Sequence, residues 1–268
     1  GIVTGSLPGN SVITYQLSTG CSTTATVTVN TMPTTIASVP AICVGATTTL
    51  SSSPGGGTWT SSNTAMGTVS TSGVVTGISA GTPVITYAIG SCYVTREVTV
   101  NPNPAAITGT LVVCMGSGTP LSNTTTGGIW TSGATGVATV GSTTGLVTGV
   151  TAGTANIVYT LSTGCFTTAI VTVNTTPTPI TGTMVYCVGN TGTLTATPSG
   201  GTWSSSSTTM ATVSGSGVIN ALAAGNPVIT YTFGAGCTRT AMITVNPNPA
   251  TITGTLSVCV ANITTLAT

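Results

Sequence analysis

Charge is almost missing from this sequence. Arg96, Glu97 and Arg239 are its only charged side chains, and it contains no His, Asp or Lys in 268 residues. General acid–base catalysis draws mainly on His, Asp, Glu or Lys held beside the reacting atom, and Glu97 next to Arg96 has no second carboxylate to work with. We therefore expect no enzyme and assign no catalytic residue. Calcium sites need several carboxylate oxygens, and zinc sites need His or Cys at short spacing. Neither pattern occurs, so we expect no metal and no cofactor. Nucleic-acid binding rests on many Lys and Arg neutralising phosphates, whereas the formal charge is +1.

Long apolar runs are missing too. Mean hydropathy is +0.54, but Thr, Ser and Gly interrupt every apolar stretch, and no run of 18 apolar residues exists to cross a membrane as a helix. Aromatics make up 4% of the chain, too few for the girdles of a membrane barrel. The high hydropathy reflects missing charge.

What the sequence does contain is a repeat. Val29-Asn30, Val100-Asn101, Val173-Asn174 and Val245-Asn246 follow one another at steps of 71, 73 and 72. Trp59, Trp130 and Trp203 step by 71 and 73, and Tyr15, Tyr87, Tyr159 and Tyr231 by 72 each time. Cutting after each Val-Asn defines complete repeats at 31–101, 102–174 and 175–246. The C-terminal part of a repeat occupies 1–30, and the N-terminal part of a further one 247–268. The chain thus reads as a window on a longer array, whose true N-terminus we expect elsewhere. Within a repeat, short β-branched segments such as Pro83-Val84-Ile85-Thr86-Tyr87 alternate with Gly and Pro turns. A unit this long with one Trp is a whole domain rather than a solenoid coil. The fold class expected is all-β, with tandem antiparallel sandwiches in an extended rod, because linkers such as Asn101-Pro102-Asn103-Pro104 are short and Pro-stiffened.

Alternation assigns the faces. Val94, Val98 and Val100 share the inner side of the last strand and Thr95, Glu97 and Thr99 the outer one; Arg96 and Arg239 take inner parity, their long stems reaching out at the sandwich end. Trp59, Trp130, Trp203 and the repeated Tyr15, Tyr87, Tyr159 and Tyr231 are expected as core aromatics. Exposed indoles would instead suit sugar stacking. Gly81, Gly153 and Gly225 precede the Tyr-bearing strand and are expected at positive φ in a turn.

The succession Trp59-Thr60-Ser61-Ser62-Asn63, Gly67-Thr68-Val69, Gly73-Val74-Val75-Thr76-Gly77, Ala80-Gly81-Thr82, Ile85-Thr86-Tyr87 and Val98-Thr99-Val100 resembles the bacterial immunoglobulin-like domain of group 2. The match recurs from Trp203 to Val245. The variant with Ile42-Cys43-Val44-Gly45 and Tyr186-Cys187-Val188-Gly189 is similar to repeats of very large secreted surface proteins of the Bacteroidota. That resemblance implies an extracellular, cell-surface protein forming a filament or stalk. Alternatives are an adhesin arm whose binding domain lies outside this window, or a carbohydrate-binding appendage. Its partners would be neighbouring repeats or further copies of itself, or a glycan or cell-surface ligand.

Eight cysteines fall into two series, Cys43, Cys114, Cys187 and Cys259 after the first strand, and Cys21, Cys92, Cys165 and Cys237 at the start of the last. In a secreted array they read as structural disulfides. In an Ig-like sandwich the first and last strands run the same way, so Cys43 and Cys92 lie roughly 20 Å apart, beyond the reach of a disulfide. Cys92 and Cys114 lie further apart still. Pairing between successive repeats, Cys43 with Cys165 and Cys114 with Cys237, is the expectation; pairing within a repeat is the alternative.

Overall fold

Residues 1–37 and 41–268 are described by a computed structural model, and every regular element among them is a strand. The cause is visible in single strands. Val84–Ile89 buries Ile85 and Tyr87 and leaves the residues between them half-buried, which is the period-two signature of a pleated surface with one face in a core. Glycines close the hairpins: Gly73 sits at φ +81°, a conformation that costs a Cβ-bearing residue about 1–2 kcal/mol.

Contacts gather the chain into two units. The first comprises Gly1–Ile107, Asn123–Ile129 and Tyr159–Thr168. It begins with a hairpin in which Gly9–Gln16 pairs with Ser22–Val29, from Gly9 opposite Val29 to Gln16 opposite Ser22. A sandwich follows. One sheet has the order Thr47–Thr49, Val74–Gly77, Gly67–Val69, and the other the order Thr58–Ser61, Val84–Ile89, Cys92–Glu97. Between them lie Ile36, Ile42, Leu50, Val75, Ile85, Tyr87, Val98 and Val100. Fully burying each such aliphatic side chain contributes roughly 1.5–3 kcal/mol.

The second unit comprises Thr108–Ser122, Trp130–Val158 and Ala169–Thr268. It carries two four-stranded sheets of identical order: Thr108–Gly109, Gly118–Ser122, Leu146–Gly149, Ala138–Val140, and then Thr181–Gly182, Thr191–Thr195, Val218–Ala221, Ala211–Val213. Opposite the latter, Thr202–Ser205, Val228–Phe233 and Cys237–Met242 form the facing sheet. Ile219, Ile229, Tyr231, Ile243 and Val245 fill the space between.

The antiparallel sandwiches also contain short parallel ladders. Ile42–Cys43 runs parallel to Val100–Asn101, Val112–Cys114 to residues 172–174, and Val185–Cys187 to Thr244–Asn246. The opening segment splits its pairing: Thr181–Gly182 joins Thr191–Thr195 antiparallel, while Val185–Cys187 crosses to the last strand. Two strands that run the same way can only pair in parallel, so the crossing closes one end of the core with a parallel ladder. The last strand also breaks before this ladder: Cys92–Glu97 ends, and Val100–Asn101 begins after the buried Val98.

Tyr15 departs from the expected core position. It is 67% exposed, on a hairpin, Gly9–Gln16/Ser22–Val29, that among the described residues forms a two-stranded sheet of its own. Its counterparts Tyr87, Tyr159 and Tyr231 are buried. The glycines Gly81, Gly153 and Gly225 have φ between +150° and +157°; Gly81 and Gly225 hold single bridges to Val100 and Val245 rather than lying within a turn.

Candidate functional site: cysteine staples and an aromatic clasp

The cysteine series sits on the parallel ladder. Cys43 is opposite Asn101, Cys114 opposite Asn174 and Cys187 opposite Asn246. Around each, the residue after the cysteine donates its N–H to that asparagine's carbonyl: Val44 to Asn101 at 3.0 Å, Met115 to Asn174 at 2.9 Å and Val188 to Asn246 at 3.0 Å. A polar side chain two residues beyond the asparagine then returns to the same turn. Asn103 Nδ2 donates to the Val44 carbonyl at 2.9 Å, Thr176 Oγ1 to Met115 at 2.7 Å and Asn248 Nδ2 to Val188 at 3.1 Å. These bonds tie the start of each linker to the strand bearing the cysteine. Composition and spacing did not announce them, although a polar residue recurs at that position each time.

Two of these cysteines are oxidised. Cys43 bonds Cys165 with Cα atoms 5.6 Å apart, and Cys114 bonds Cys237 at the same Cα separation. Each joins one sequence repeat to the next, and no disulfide closes within a repeat among the described residues. Cys165 and Cys237 are buried, and Cys165 Sγ rests 4.0 Å from the Asn101 carbonyl. Cys21, Cys92, Cys187 and Cys259 are reduced thiols, and of these only Cys92 is half-buried.

The second repeated device is aromatic. Trp59 packs on Tyr87 with ring centroids 4.6 Å apart, and Trp203 on Tyr231 at the same distance. Trp130 is 5% exposed, whereas Trp59 and Trp203 are only half-buried. Their indoles lie over a hairpin glycine: a Cβ on Gly73 would stand 2.5 Å from the Leu50 carbonyl and 3.1 Å from Trp59 Cε2. The open edges of the rings line shallow clefts with Leu50, Ser52 and Gly57 in one repeat and Leu194, Ser199 and Gly201 in another. The tyrosine hydroxyl meanwhile fastens the loop before the Trp strand. Tyr87 Oη donates to the Pro54 carbonyl and accepts from the Gly57 N–H, both at 2.8 Å. Tyr159 does the same with Thr125 and Gly128 at 2.7 and 2.9 Å, and Tyr231 with Pro198 and Gly201 at 2.6 and 2.7 Å.

The arginines follow the alternation. Arg96 lies opposite Ile85 and is half-buried, and Glu97 is exposed. Arg239, opposite Tyr231, is exposed and donates from Nε to the Pro177 carbonyl at 2.9 Å. Among the described residues no group of three or more His, Cys, Asp or Glu converges on a point that would hold a metal ion, and no helix is long and apolar enough to cross a membrane.

Strand order decides the architecture. One sheet joins the opening segment, second, fifth and fourth strands, and the facing sheet joins the third, sixth and last, with the opening segment crossing over to pair in parallel. The fold is a tandem of immunoglobulin-like sandwiches. No protein-family profile matches the chain and no curated protein matches it. Among solved structures it is similar to domains 1–6 of the surface-layer protein SbsC, at 14% identity over 93% of this chain and 46% of that one, with a TM-score of 0.27. The chain therefore spans less than half the length of that relative. It is also similar to invasin, a bacterial integrin-binding protein, at 16% identity over 93% and 68% with a TM-score of 0.39. A third is the I67–I69 fragment of titin, at 9% identity over 82% and 100% with a TM-score of 0.28. These likenesses concern the fold. In place of the disulfide that bridges the two sheets of antibody domains, this tandem has the Trp59–Tyr87 and Trp203–Tyr231 pairs within sandwiches and its disulfides between repeats.

Proposed function

We propose that the chain is a non-enzymatic, extracellular load-bearing module: a stretch of stalk or filament from a bacterial surface protein, made of group 2 immunoglobulin-like repeats with boundaries at 31–101, 102–174 and 175–246. The observation that carries the reading is the overlap of the two disulfides. Cys114 lies inside the loop closed by Cys43–Cys165, and Cys165 inside the loop closed by Cys114–Cys237. Every residue from 43 to 237 is therefore bypassed by at least one covalent link. Pulling on the ends loads the staples before it can extend any complete sandwich between them. Disulfides persist in oxidising compartments, which agrees with a position outside the cell. A surface with almost no charge has little electrostatic repulsion against neighbouring copies, as suits a filament.

Single-molecule pulling tests this. Each staple withholds a loop of 122 or 123 residues, on the order of 400 Å of extended chain. Under oxidising conditions the stretch between Cys43 and Cys237 should give far less extension than its length allows, and a reductant should release hundreds of ångströms. Equal contour lengths in both conditions would dismiss the load-bearing reading. The half-exposed indole edges of Trp59 and Trp203 support a second reading, in which the clefts take a sugar ring; binding on a glycan array that is lost on Trp→Ala substitution would favour it.

A further inference from the structure

Thr58–Ser61 and Thr202–Ser205 each lie at the end of their sheet, and the main chain of their tryptophans turns outward. Ser62 donates its N–H to the Val84 carbonyl and Ser206 to that of Val228, both at 2.9 Å. Trp59 stands opposite Tyr87 and Trp203 opposite Tyr231 in the same ladders. Bonded and non-bonded pairs alternate along an antiparallel ladder, so the N–H groups of Trp59 and Trp203 point away from the neighbouring strand, across the sheet edge. Neither donates to a protein group among the described residues. Trp130 shows what such an N–H can hold, because it donates to the Ser142 carbonyl at 2.9 Å.

Ser142 belongs to the hairpin that follows, and the length of that hairpin accounts for the difference. Five residues, Gly141 to Gly145, join Ala138–Val140 to Leu146–Gly149. Only four, Ser70 to Gly73 and Ser214 to Gly217, make the equivalent turn beside Trp59 and Trp203. The longer hairpin reaches the tryptophan with its main chain, and Trp130 is 5% exposed. The shorter ones form no such bond, and the indoles of Trp59 and Trp203 stay half-buried with the clefts beside them.

Those clefts are one site built twice. Each of the ten residues lining the first, from Leu50 to Tyr87, has its counterpart 144 positions further on in the second, from Leu194 to Tyr231. Their volumes are about 240 and 170 Å³, below the roughly 300–1,000 Å³ of pockets for drug-sized ligands, which leaves room for a single ring. No charged residue lines either cleft, so an ionic ligand would give up hydration with no counter-charge in return. An indole edge and a leucine offer apolar contact. The Ser72 and Ser216 hydroxyls, held 2.8 and 2.9 Å from those of Ser70 and Ser214, stand on the rim. We infer that the two open clefts are equivalent sites for one neutral pyranose ring of a polysaccharide, one sugar oxygen accepting the Trp59 or Trp203 N–H as the Ser142 carbonyl accepts that of Trp130, and that hairpin length decides which sandwich carries a site. This rests on the second reading above, in which the clefts take a sugar ring, and adds the ligand's charge, its anchoring bond and the rule for which tryptophans take part.

The test follows the three tryptophan main-chain amides by NMR in nitrogen-15-labelled chain. The probes are neutral oligomers of glucose, mannose and galactose, with a galacturonic acid oligomer as the charged comparison, each titrated to its solubility limit. At least one neutral oligomer should shift the Trp59 and Trp203 amides together and leave Trp130 in place, and the uronate should shift none. Two hairpin variants then exchange the open and covered states. Deleting Thr143 should bring the Trp130 amide into the responding set and, with W59F and W203F, raise acrylamide quenching of its indole several-fold. Inserting a Thr between Thr71 and Ser72 should silence the Trp59 amide while Trp203 still responds, and, with W130F and W203F, lower quenching of Trp59 several-fold. If no neutral oligomer moves Trp59 or Trp203, the sugar reading itself falls. If they respond but Trp130 responds equally, or the insertion leaves Trp59 quenched and responding as before, the hairpin rule is overturned while sugar binding stands. An equal response to the uronate overturns the assignment of a neutral ligand. The insertion is scored independently of the deletion, so a deletion variant that fails to fold does not shield the rule.

Discussion

Replacing Tyr231 by Phe isolates the hydroxyl clasp from everything else the ring does. The phenyl keeps its place against Trp203, 4.6 Å away, so apolar packing is preserved. What is lost is a 2.6 Å bond donated to the Pro198 carbonyl and a 2.7 Å bond accepted from the Gly201 N–H. A hydrogen bond contributes about 1 kcal/mol net, and a buried partner left alone costs about 1–3 kcal/mol. Pro198 and Gly201 are half-buried, so water can reach part of the vacated space. We therefore expect a loss of about 2 kcal/mol for the pair. For a cooperative unit of 60–100 residues this lowers Tm by roughly 10 °C. In a background carrying W59F and W130F, Trp203 is the only indole, and its fluorescence follows this sandwich through thermal unfolding. A shift under about 1 °C would mean that water serves the loop as well as the tyrosine does, and the clasp would have to be abandoned as a source of stability.

Tyr186 gives the opposite sign: it is 4% exposed and its hydroxyl has no hydrogen-bond partner among the described residues, so Y186F should be neutral or stabilise by up to about 1 kcal/mol in urea unfolding. Burial pushes the Tyr186 phenol above its ordinary value of 10.0, so the stability linked to it is complete below pH 10 and is lost as pH rises through the raised value. Alkaline titration of unfolding should show this loss in the parent chain and a smaller one in Y186F. G73A puts a Cβ at φ +81° and 2.5 Å from the Leu50 carbonyl, and should destabilise its sandwich by about 2 kcal/mol or more, read as a lower denaturant midpoint. With one carboxylate in the whole sequence there is nothing to assemble a calcium shell, so Tm in chelator and in millimolar calcium should agree within about 1 °C.

The parts of this architecture that repeat in side-chain identity were legible in the sequence. Tyr87, Tyr159 and Tyr231 are buried at equivalent places because a 72-residue period carries the whole strand pattern with it. The pairing of Cys43 with Cys165 followed from strand direction, since parallel first and last strands put the cysteines of one repeat at opposite ends. Devices made with the main chain were not legible. The Tyr231 hydroxyl meets the Pro198 carbonyl and the Gly201 N–H, groups that every sequence possesses. Tyr15 has the period and the strand of its counterparts, but period alone does not set burial, and it lies exposed on a hairpin that is two-stranded among the described residues. Trp59 and Trp203 were expected inside, yet they rest on hairpin glycines at the margin of the core, where one ring edge meets a cleft.

The staples between repeats are the centre of this account, and the scarcity of charge makes them simple to test. With free thiols alkylated and the unfolded chain cut at Arg96 and Arg239, fragment 1–96 holds Cys21, Cys43 and Cys92, and fragment 97–239 holds Cys114, Cys165, Cys187 and Cys237. Mass spectrometry before and after reduction should find fragments 1–96 and 97–239 joined through Cys43 and Cys165, with Cys114–Cys237 closed inside fragment 97–239. Fragment 1–96 released by itself, with Cys43 bonded to Cys92, would contradict it.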